Sequence, residues 1–219
     1  MIPLGDDNSS RRTIPVITWL LVITNLFVFL LELAGGDSFI ALWSFNPARF
    51  SKDPVGNFIT IFSSMFVHAG WMHLLGNMLY LIIFGDNVED RFGHLRFLVF
   101  YLICGFIAML AQYIVAPYLS IPTMGASGAI AGVLGAYLVL YPRRKVRVLV
   151  VAWIVKLPAL VVIGSWILVQ LLNGLGSLNS IAGSAGGVAY MAHIGGFAGG
   201  FLLSYLFRGK VRELPPYYY

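Results

Sequence analysis

The chain has 219 residues, of which 59% are hydrophobic and only 11% are charged. Its mean hydropathy is +0.85, whereas the apolar share of a soluble domain is about 45–50%. This composition excludes an ordinary soluble domain and predicts an integral membrane protein. The net charge of +5 could indicate a nucleic-acid partner, but the positions of the basic residues indicate membrane topology instead.

Six long apolar segments predict six transmembrane helices, because a membrane-spanning helix needs about 20 mainly apolar residues, and fewer where neighbouring helices shield its ends. The first segment follows two arginines, as a signal peptide would, but it is longer than the roughly 7–15 residues of a signal core and has no small-residue cleavage site. We therefore expect an all-α membrane protein built as a six-helix transmembrane bundle. The segments are residues 14–33, 72–84, 95–115, 127–141, 157–172 and 190–207.

Basic residues lie at alternate ends of these segments, and the opposite loops hold only Arg49 and Lys52. Because positive residues stay on the cytoplasmic side, we expect a multi-pass protein of the cell membrane with both termini in the cytoplasm. Its parts would be a cytoplasmic segment 1–13, a transmembrane domain 14–207 and a cytoplasmic tail 208–219. The residues on the predicted inner side are Arg11, Arg12, Arg91, Arg96, Arg143, Arg144, Lys145, Arg147, Arg208, Lys210 and Arg212.

Three connections need separate interpretation. Pro158 suits the first turn of a helix, so the fifth helix is predicted to begin near Lys156, after a cytoplasmic surface connection at 146–155. Residues 35–70 exceed the roughly 12–15 residues of an unstructured loop, so we expect this loop to have structure of its own, lying in the outer interface. The Gly- and Ser-rich residues 173–188 are expected to form a flexible cap over the outer helix ends.

A serine and a histidine begin two of the apolar segments. A polar side chain at bilayer depth is costly unless it faces a partner or water, so each is a candidate functional residue. Ser127 and His193 start the fourth and sixth helices, and His73 and Asn77 share one face of the second. These three helices run in the same predicted direction, so the four side chains share a depth near the outer surface. Taken alone, Ser127 is equally compatible with close helix packing.

Glycines recur every three or four residues on the fourth and sixth helices. This spacing lets helix backbones approach closely in a membrane, so we predict that these two helices pack together. Such a contact would bring Nε2 of His193 within about 2.6–3.2 Å of Oγ of Ser127. A role in packing alone is also compatible with this pattern. The glycines are Gly128, Gly132 and Gly135 on the fourth helix, and Gly195, Gly196, Gly199 and Gly200 on the sixth.

Three motifs, in this order along the chain, resemble those of the rhomboid intramembrane serine proteases. They are His68, His73 and Asn77 in and before the second helix; Gly125-Ala126-Ser127-Gly128; and Ala192-His193-Ile194-Gly195-Gly196 with Gly200. Helix number, orientation and the long first loop fit as well, so the resemblance covers nearly the whole chain. Glu89-Asp90-Arg91 also resembles a structural acidic-basic cluster of the family. Ala131 departs from the pattern, because some members carry there an aromatic ring that packs on the histidine.

The residue types predict a catalytic dyad. Ser127 would attack a peptide carbonyl and His193 would carry the proton, with no carboxylate nearby to complete a triad. The backbone N–H of Ser127 and the side chains of His73 and Asn77 would donate to the oxyanion. His73 as the base is the weaker alternative. Gly125, Gly128 and His68 are expected to shape the site, with His68 either structural or lining its rim.

The expected partners are the lipid bilayer and transmembrane protein substrates, with no nucleic acid, no cofactor and no metal. The resemblance implies small residues at the cleavage site and substrate entry past the second and fifth helices. Two other functions compete with this interpretation. One is a catalytically inactive relative that binds membrane proteins for quality control. The other is a small transporter or channel, although the chain lacks the paired broken helices and charged midplane residues common in transporters.

Overall fold

The computed structural model describes residues 1–179 and 188–208, and this part of the chain is mostly helical. Its strands are β1 (Ile2–Asp6), β2 (Lys145–Val150) and β3 (Trp153–Pro158), which form an antiparallel sheet in the order β1-β2-β3. The helices are α1 (Val16–Trp43), α2 (Pro47–Lys52), α3 (Pro54–Asn57), α4 (Thr60–Ser63), α5 (Trp71–Phe92), α6 (His94–Val115), α7 (Ser127–Leu140), α8 (Ala159–Asn179) and α9 (Tyr190–Phe207).

Four helices of the described chain are long and apolar enough to cross a membrane: α1, α6, α8 over Ala159–Gly176, and α9. The protein is therefore a multi-pass membrane protein. Helix α7 is apolar but has only 14 residues, and α5 carries Asp86, Glu89 and Asp90 in its last turns. The count of six spans thus stays a prediction.

Helix α7 lies at the centre of the bundle, against α5, α6 and α9. Every residue from Gly128 to Tyr137 is buried. A Cβ added at Gly196 would lie 2.0 Å from the carbonyl oxygen of Gly128, and one at Gly200 would lie 2.0 Å from that of Gly132. Backbone meets backbone at both points, so the predicted contact between the fourth and sixth helices is confirmed.

The second pair of glycines on α9 serves a different contact. A Cβ at Gly195 would lie 2.3 Å from Cβ of Ala111, and one at Gly199 would lie 2.9 Å from Cδ1 of Ile107. These two glycines therefore face α6, and α9 packs closely on two neighbours at once.

The sheet corrects the expectation of an all-α protein. Over residues 145–148, exposed positions alternate with the buried Val146 and Val148, and β-branched residues at this period favour a strand. The predicted surface connection 146–155 is therefore part of a β-hairpin. Lys156 lies in β3, and Pro158 ends that strand directly before α8 instead of lying in the first helical turn. The segment 1–13 contributes β1, which pairs with β2.

Several predicted boundaries also change. Helix α1 continues to Trp43 across a kink at Gly36, whose φ of 59° suits glycine. The connection predicted at 35–70 thus begins at residue 44, and it contains α2, α3 and α4. Helix α8 extends to Asn179, so the first part of the predicted cap 173–188 is helical. Residues 180–187 of that cap lie outside the described chain.

A group of polar residues joins the end of α5 to the start of α1 and to the sheet. Glu89 accepts hydrogen bonds from the backbone N–H groups of Ile17 (2.9 Å) and Thr18 (2.7 Å). These are first-turn donors that have no acceptor within their own helix, so a neighbouring helix supplies the cap of α1. We call this group the polar anchor; it consists of Asp6, Arg11, Asp86, Asn87, Glu89, Asp90 and Arg144.

Candidate active site

Ser127 and His193 meet at the end of the α7–α9 contact. Ser127 is the first residue of α7, and His193 lies in the first turn of α9. Because the glycines bring the two backbones together below this point, Nε2 of His193 lies 2.7 Å from Oγ of Ser127. The imidazole is buried and the serine is half-buried. A serine hydroxyl and a histidine base in this geometry can carry out nucleophilic chemistry.

The turn before Ser127 requires glycine. Gly125 has a φ of +112°, which side chains rarely adopt, and its N–H donates to the carbonyl oxygen of Ser64 at 2.8 Å. A Cβ there would lie 2.6 Å from Nε2 of His73 and 3.5 Å from Nδ2 of Asn77. The structure therefore brings His73 and Asn77 against the backbone that leads to Ser127.

Three hydrogen-bond donors lie around this turn. The N–H of Ser127 is in the first turn of α7, where a helix offers no acceptor. Nδ2 of Asn77 is buried without a hydrogen-bond partner among the described residues. Nδ1 of His73 accepts weakly from the N–H of Ala69 at 3.4 Å, so its Nε2, which faces Gly125, carries the ring proton. Buried donors without partners are costly, and such a group suits a developing negative charge.

His68 is fully buried behind His73 and does not line the rim of the site. Its ring meets that of His73 edge-on, with the ring centroids 5.1 Å apart. Its backbone N–H donates to Oε2 of Glu32 at 2.8 Å. Burial, together with repulsion from His73 when its ring is also protonated, lowers the pKa of His68 to about 4. His68 thus fixes the ring of His73 and links the segment before α5 to α1.

Two residues of α8 contact His193, and neither was predicted from the sequence. Oε1 of Gln170 lies 2.8 Å from Nδ1 of His193, and the ring of Trp166 lies 5.6 Å from the imidazole at an angle of 38°. Trp166 supplies an aromatic neighbour where Ala131, which is fully buried, offers none. A signal for Gln170 exists, because it is a polar residue inside an apolar segment, four residues after Trp166 and so on the same helix face.

In the part of the chain that the structure describes, no three His, Cys, Asp or Glu side chains are grouped closely enough to hold a metal ion. The one cysteine, Cys104, is buried against Gly132. The side chains that the structure brings together at this site supply hydroxyl, imidazole and amide groups.

Comparison with known proteins gives the family. Residues 55–210 match the Rhomboid domain family. The chain is 33% identical over 190 residues to the rhomboid protease GluP of Bacillus subtilis, covering 85% of this chain and 34% of GluP. It is 30% identical over 198 residues to YdcA of the same organism, covering 89% of each. It is 36% identical over 148 residues to RHOMBOID-like protein 4 of Arabidopsis thaliana, covering 67% of this chain and 33% of that protein.

The chain thus spans about a third of the length of GluP and of RHOMBOID-like protein 4. The family match nevertheless includes His68, His73, Asn77, Ser127 and His193 and extends over more than half of the chain. This protein belongs to the rhomboid family.

Proposed function

We propose that this protein is an intramembrane serine endopeptidase that cleaves membrane-anchored proteins near the outer end of their transmembrane helix. The observation that carries the proposal is the 2.7 Å contact between Nε2 of His193 and Oγ of Ser127. A base at this distance takes the hydroxyl proton and activates the serine. The relative GluP, which is named a protease, supports the same reaction class.

The reaction would proceed through an acyl-enzyme. Oγ of Ser127 attacks the peptide carbonyl carbon while Nε2 of His193 takes the hydroxyl proton, which gives a tetrahedral intermediate. The C–N bond then breaks as His193 returns the proton to the leaving amine. A water molecule, deprotonated by His193, attacks the ester, and the second intermediate releases the carboxyl product and regenerates the Ser127 hydroxyl.

The negative oxygen of each intermediate would be held by the Ser127 N–H and the side chains of His73 and Asn77. Nδ2 of Asn77 has no hydrogen-bond partner among the described residues, and this observation and the position of both side chains against Gly125 support this role. Loss of one such donor typically costs about 3–4 kcal/mol of transition-state stabilisation. Gly125 lets His73 and Asn77 approach the backbone, Gly128 lets Ala108 of α6 and Ala192 of α9 approach α7, and His68 packs on His73, so all three shape the site.

We further propose that α1, α5, α6, α7, α8 and α9 all span the cell membrane, with both termini in the cytoplasm. The domain would be residues 14–207, between cytoplasmic segments 1–13 and 208–219. The clustering of basic residues beside the sheet supports this orientation. Ser127 would then lie near the outer surface, where water can reach it for hydrolysis.

Cysteine accessibility tests the orientation. Lys156 is exposed in β3 and Val55 is 89% exposed in α3, whereas the native Cys104 is buried and leaves a silent background. We expect Lys156→Cys to react with a membrane-impermeant maleimide only from the cytoplasmic side and Val55→Cys only from outside. Protection of Lys156→Cys from both sides, or the reverse labelling pattern, would contradict this orientation.

Cleavage of a single-span membrane protein by the purified, reconstituted enzyme tests the activity. We expect Ser127→Ala and His193→Ala to abolish cleavage while both variants insert and fold. Ser165→Ala is the matched control, because within the described chain its Oγ bonds to the carbonyl of Val162 in its own helix. Cleavage by Ser127→Ala near the wild-type rate would end the protease proposal. Retention of the substrate by an inactive wild type would favour the binding and quality-control alternative.

A further inference from the structure

The dyad leaves one polar atom of the base to be explained. If Nε2 of His193 accepts the serine proton, Nδ1 must carry the ring proton. An N–H inside an apolar bundle needs an acceptor, because an unpaired buried donor is costly. Oε1 of Gln170 lies 2.8 Å from this nitrogen. We propose that Gln170 is the positioning residue of this active site, which holds His193 in the tautomer and orientation that the proposed proteolysis requires.

Burial makes this contact effective. His193 is 7% exposed and Gln170 is 8% exposed, so bulk water competes little for the hydrogen bond between them. A carboxylate here would carry a negative charge into the bundle, at a large desolvation cost. The neutral amide oxygen accepts the same hydrogen bond without that charge. It therefore fixes the tautomer as the aspartate of a triad does, while it stabilises the protonated ring less.

The same helix face controls the plane of the ring. Trp166 lies one turn before Gln170 on α8 and packs on the imidazole at 5.6 Å. The hydrogen bond to Gln170 fixes the direction of the Nδ1–H bond, and the contact with Trp166 limits rotation of the imidazole ring about that bond. Both come from α8, whereas Ser127 and the glycine contact come from α7. The base is thus located by α9 but oriented by α8.

Two variants separate this role from simple packing. Gln170→Leu keeps most of the volume and removes the acceptor, and Gln170→Glu keeps an acceptor and adds a charge. We expect Gln170→Leu to lower kcat on a single-span substrate on the order of 10²-fold, with KM nearly unchanged, because a misoriented base impairs chemistry more than binding. We expect Gln170→Glu to restore most of kcat.

The pH profile gives the second readout. The carboxylate of Gln170→Glu favours the imidazolium, so the acidic limb of kcat/KM should move to higher pH. His73 from α5 is the other titratable group whose charge acts on His193, and it is unchanged in both variants. Ser165→Ala on the same helix should keep the wild-type kcat and the wild-type profile.

The outcomes distinguish this inference from the proposed function on which it rests. If Ser127 is required but Gln170→Leu keeps the wild-type kcat and pH profile, the positioning role is overturned and the protease remains. If Ser127→Ala is active, the protease proposal itself fails. If Gln170→Leu does not fold, Gln170→Glu decides, because a carboxyl group keeps an acceptor in either protonation state and a roughly 10²-fold loss of kcat in this variant would overturn the role.

Discussion

The two ends of the bundle use their polar groups in opposite ways. In the polar anchor, the carboxylate of Glu89 accepts three hydrogen bonds, from two backbone N–H groups and from Oγ1 of Thr18. The side-chain amide of Asn87 contacts Asp6, Asn8 and Arg144. Around Ser127, by contrast, Nδ2 of Asn77 is buried without a hydrogen-bond partner in the described chain. The anchor pairs most of its polar atoms, with Oδ1 of Asp6 as an exception among the described residues, whereas the site proposed to bind a transition state leaves a donor without a partner.

The largest expected effect is on the rate of fluorophosphonate labelling, and it should differ between His193 at the active-site end and His94 at the anchor end. A fluorophosphonate should label Ser127, and labelling of His193→Ala should fall at least about 10²-fold because proton removal is lost. His94→Ala, which removes the ring that contacts Glu89 in the anchor region, should label at the wild-type rate. Chelators should change neither rate. Labelling of His193→Ala as fast as wild type, or silencing by a chelator, would contradict the dyad.

Two asparagines on α5 sharpen the comparison. Asn77→Ala removes a donor that has no partner within the described chain. We therefore expect kcat to drop, by about 10²-fold or less if the other donors compensate, with little change in thermal stability. Asn87→Ala removes bonds to Asp6 and Arg144, so Tm should fall and kcat of the folded enzyme should be nearly unchanged. Thermal unfolding and initial rates measure both. A loss of kcat confined to Asn87→Ala would reverse the assigned roles.

Neutralising Glu89 should affect folding alone. Glu89 is fully buried and caps α1, so Glu89→Gln turns an amide N–H toward backbone donors and should cost about 1–3 kcal/mol of unfolding free energy. The fluorophosphonate labelling rate of the folded protein should match wild type. An exposed carboxylate at the same bundle end, Asp7→Asn, is the control and should leave the unfolding free energy within about 0.5 kcal/mol. An unchanged stability of Glu89→Gln would show that the cap is dispensable.

The smallest expected effect is an opposite response of the two ends to acid. Burial lowers the pKa of His68 from 6.5 to about 4, so the unfolded chain binds more protons in this range and stability is lost as pH falls through it. Burial raises the pKa of Asp6 from 3.8 to about 6. Here the folded protein binds more protons, so stability is present at low pH and is lost as pH rises toward 6.

Native-state hydrogen exchange measures these local stabilities. Between about pH 7 and about pH 4.5, protection should fall near His68 and rise along β1 after correction for intrinsic rates. Asp6→Asn should reduce the rise and leave the fall. A parallel change at both ends would contradict the assignment of either group.

The sequence predicted much of the candidate site because its residues are unusual for their surroundings. Ser127 and His193 are polar in apolar segments, and the glycines predict which helices touch. Gln170 is also a polar residue in an apolar segment, but it is neither a nucleophile nor a base. Whether its side chain reaches His193 depends on the rotation of α8 about its own axis. That rotation is set by tertiary packing, which a single sequence does not reveal.

The fold was harder to predict where polar and apolar signals mix. The last two turns of α5 lie beyond the predicted end at residue 84. Acidic residues such as Glu89, which binds α1, lower the hydropathy of these turns, so they were not included in the apolar segment. The sheet was not predicted because basic residues alternate with Val146 and Val148. This pattern also fits a segment that lies along the membrane surface. β1 pairs with β2 across most of the chain, and such long-range pairing leaves little local trace.

The glycine contact bears on how other sequences of this family can be interpreted. A methyl group at Gly196 would lie 2.0 Å from the backbone of Gly128, so any larger residue there must push α7 and α9 apart. A relative that keeps its serine and histidine but replaces this glycine would hold both reactive groups without their contact. The glycine is therefore as informative a marker of a competent active site as the two residues that would perform the chemistry.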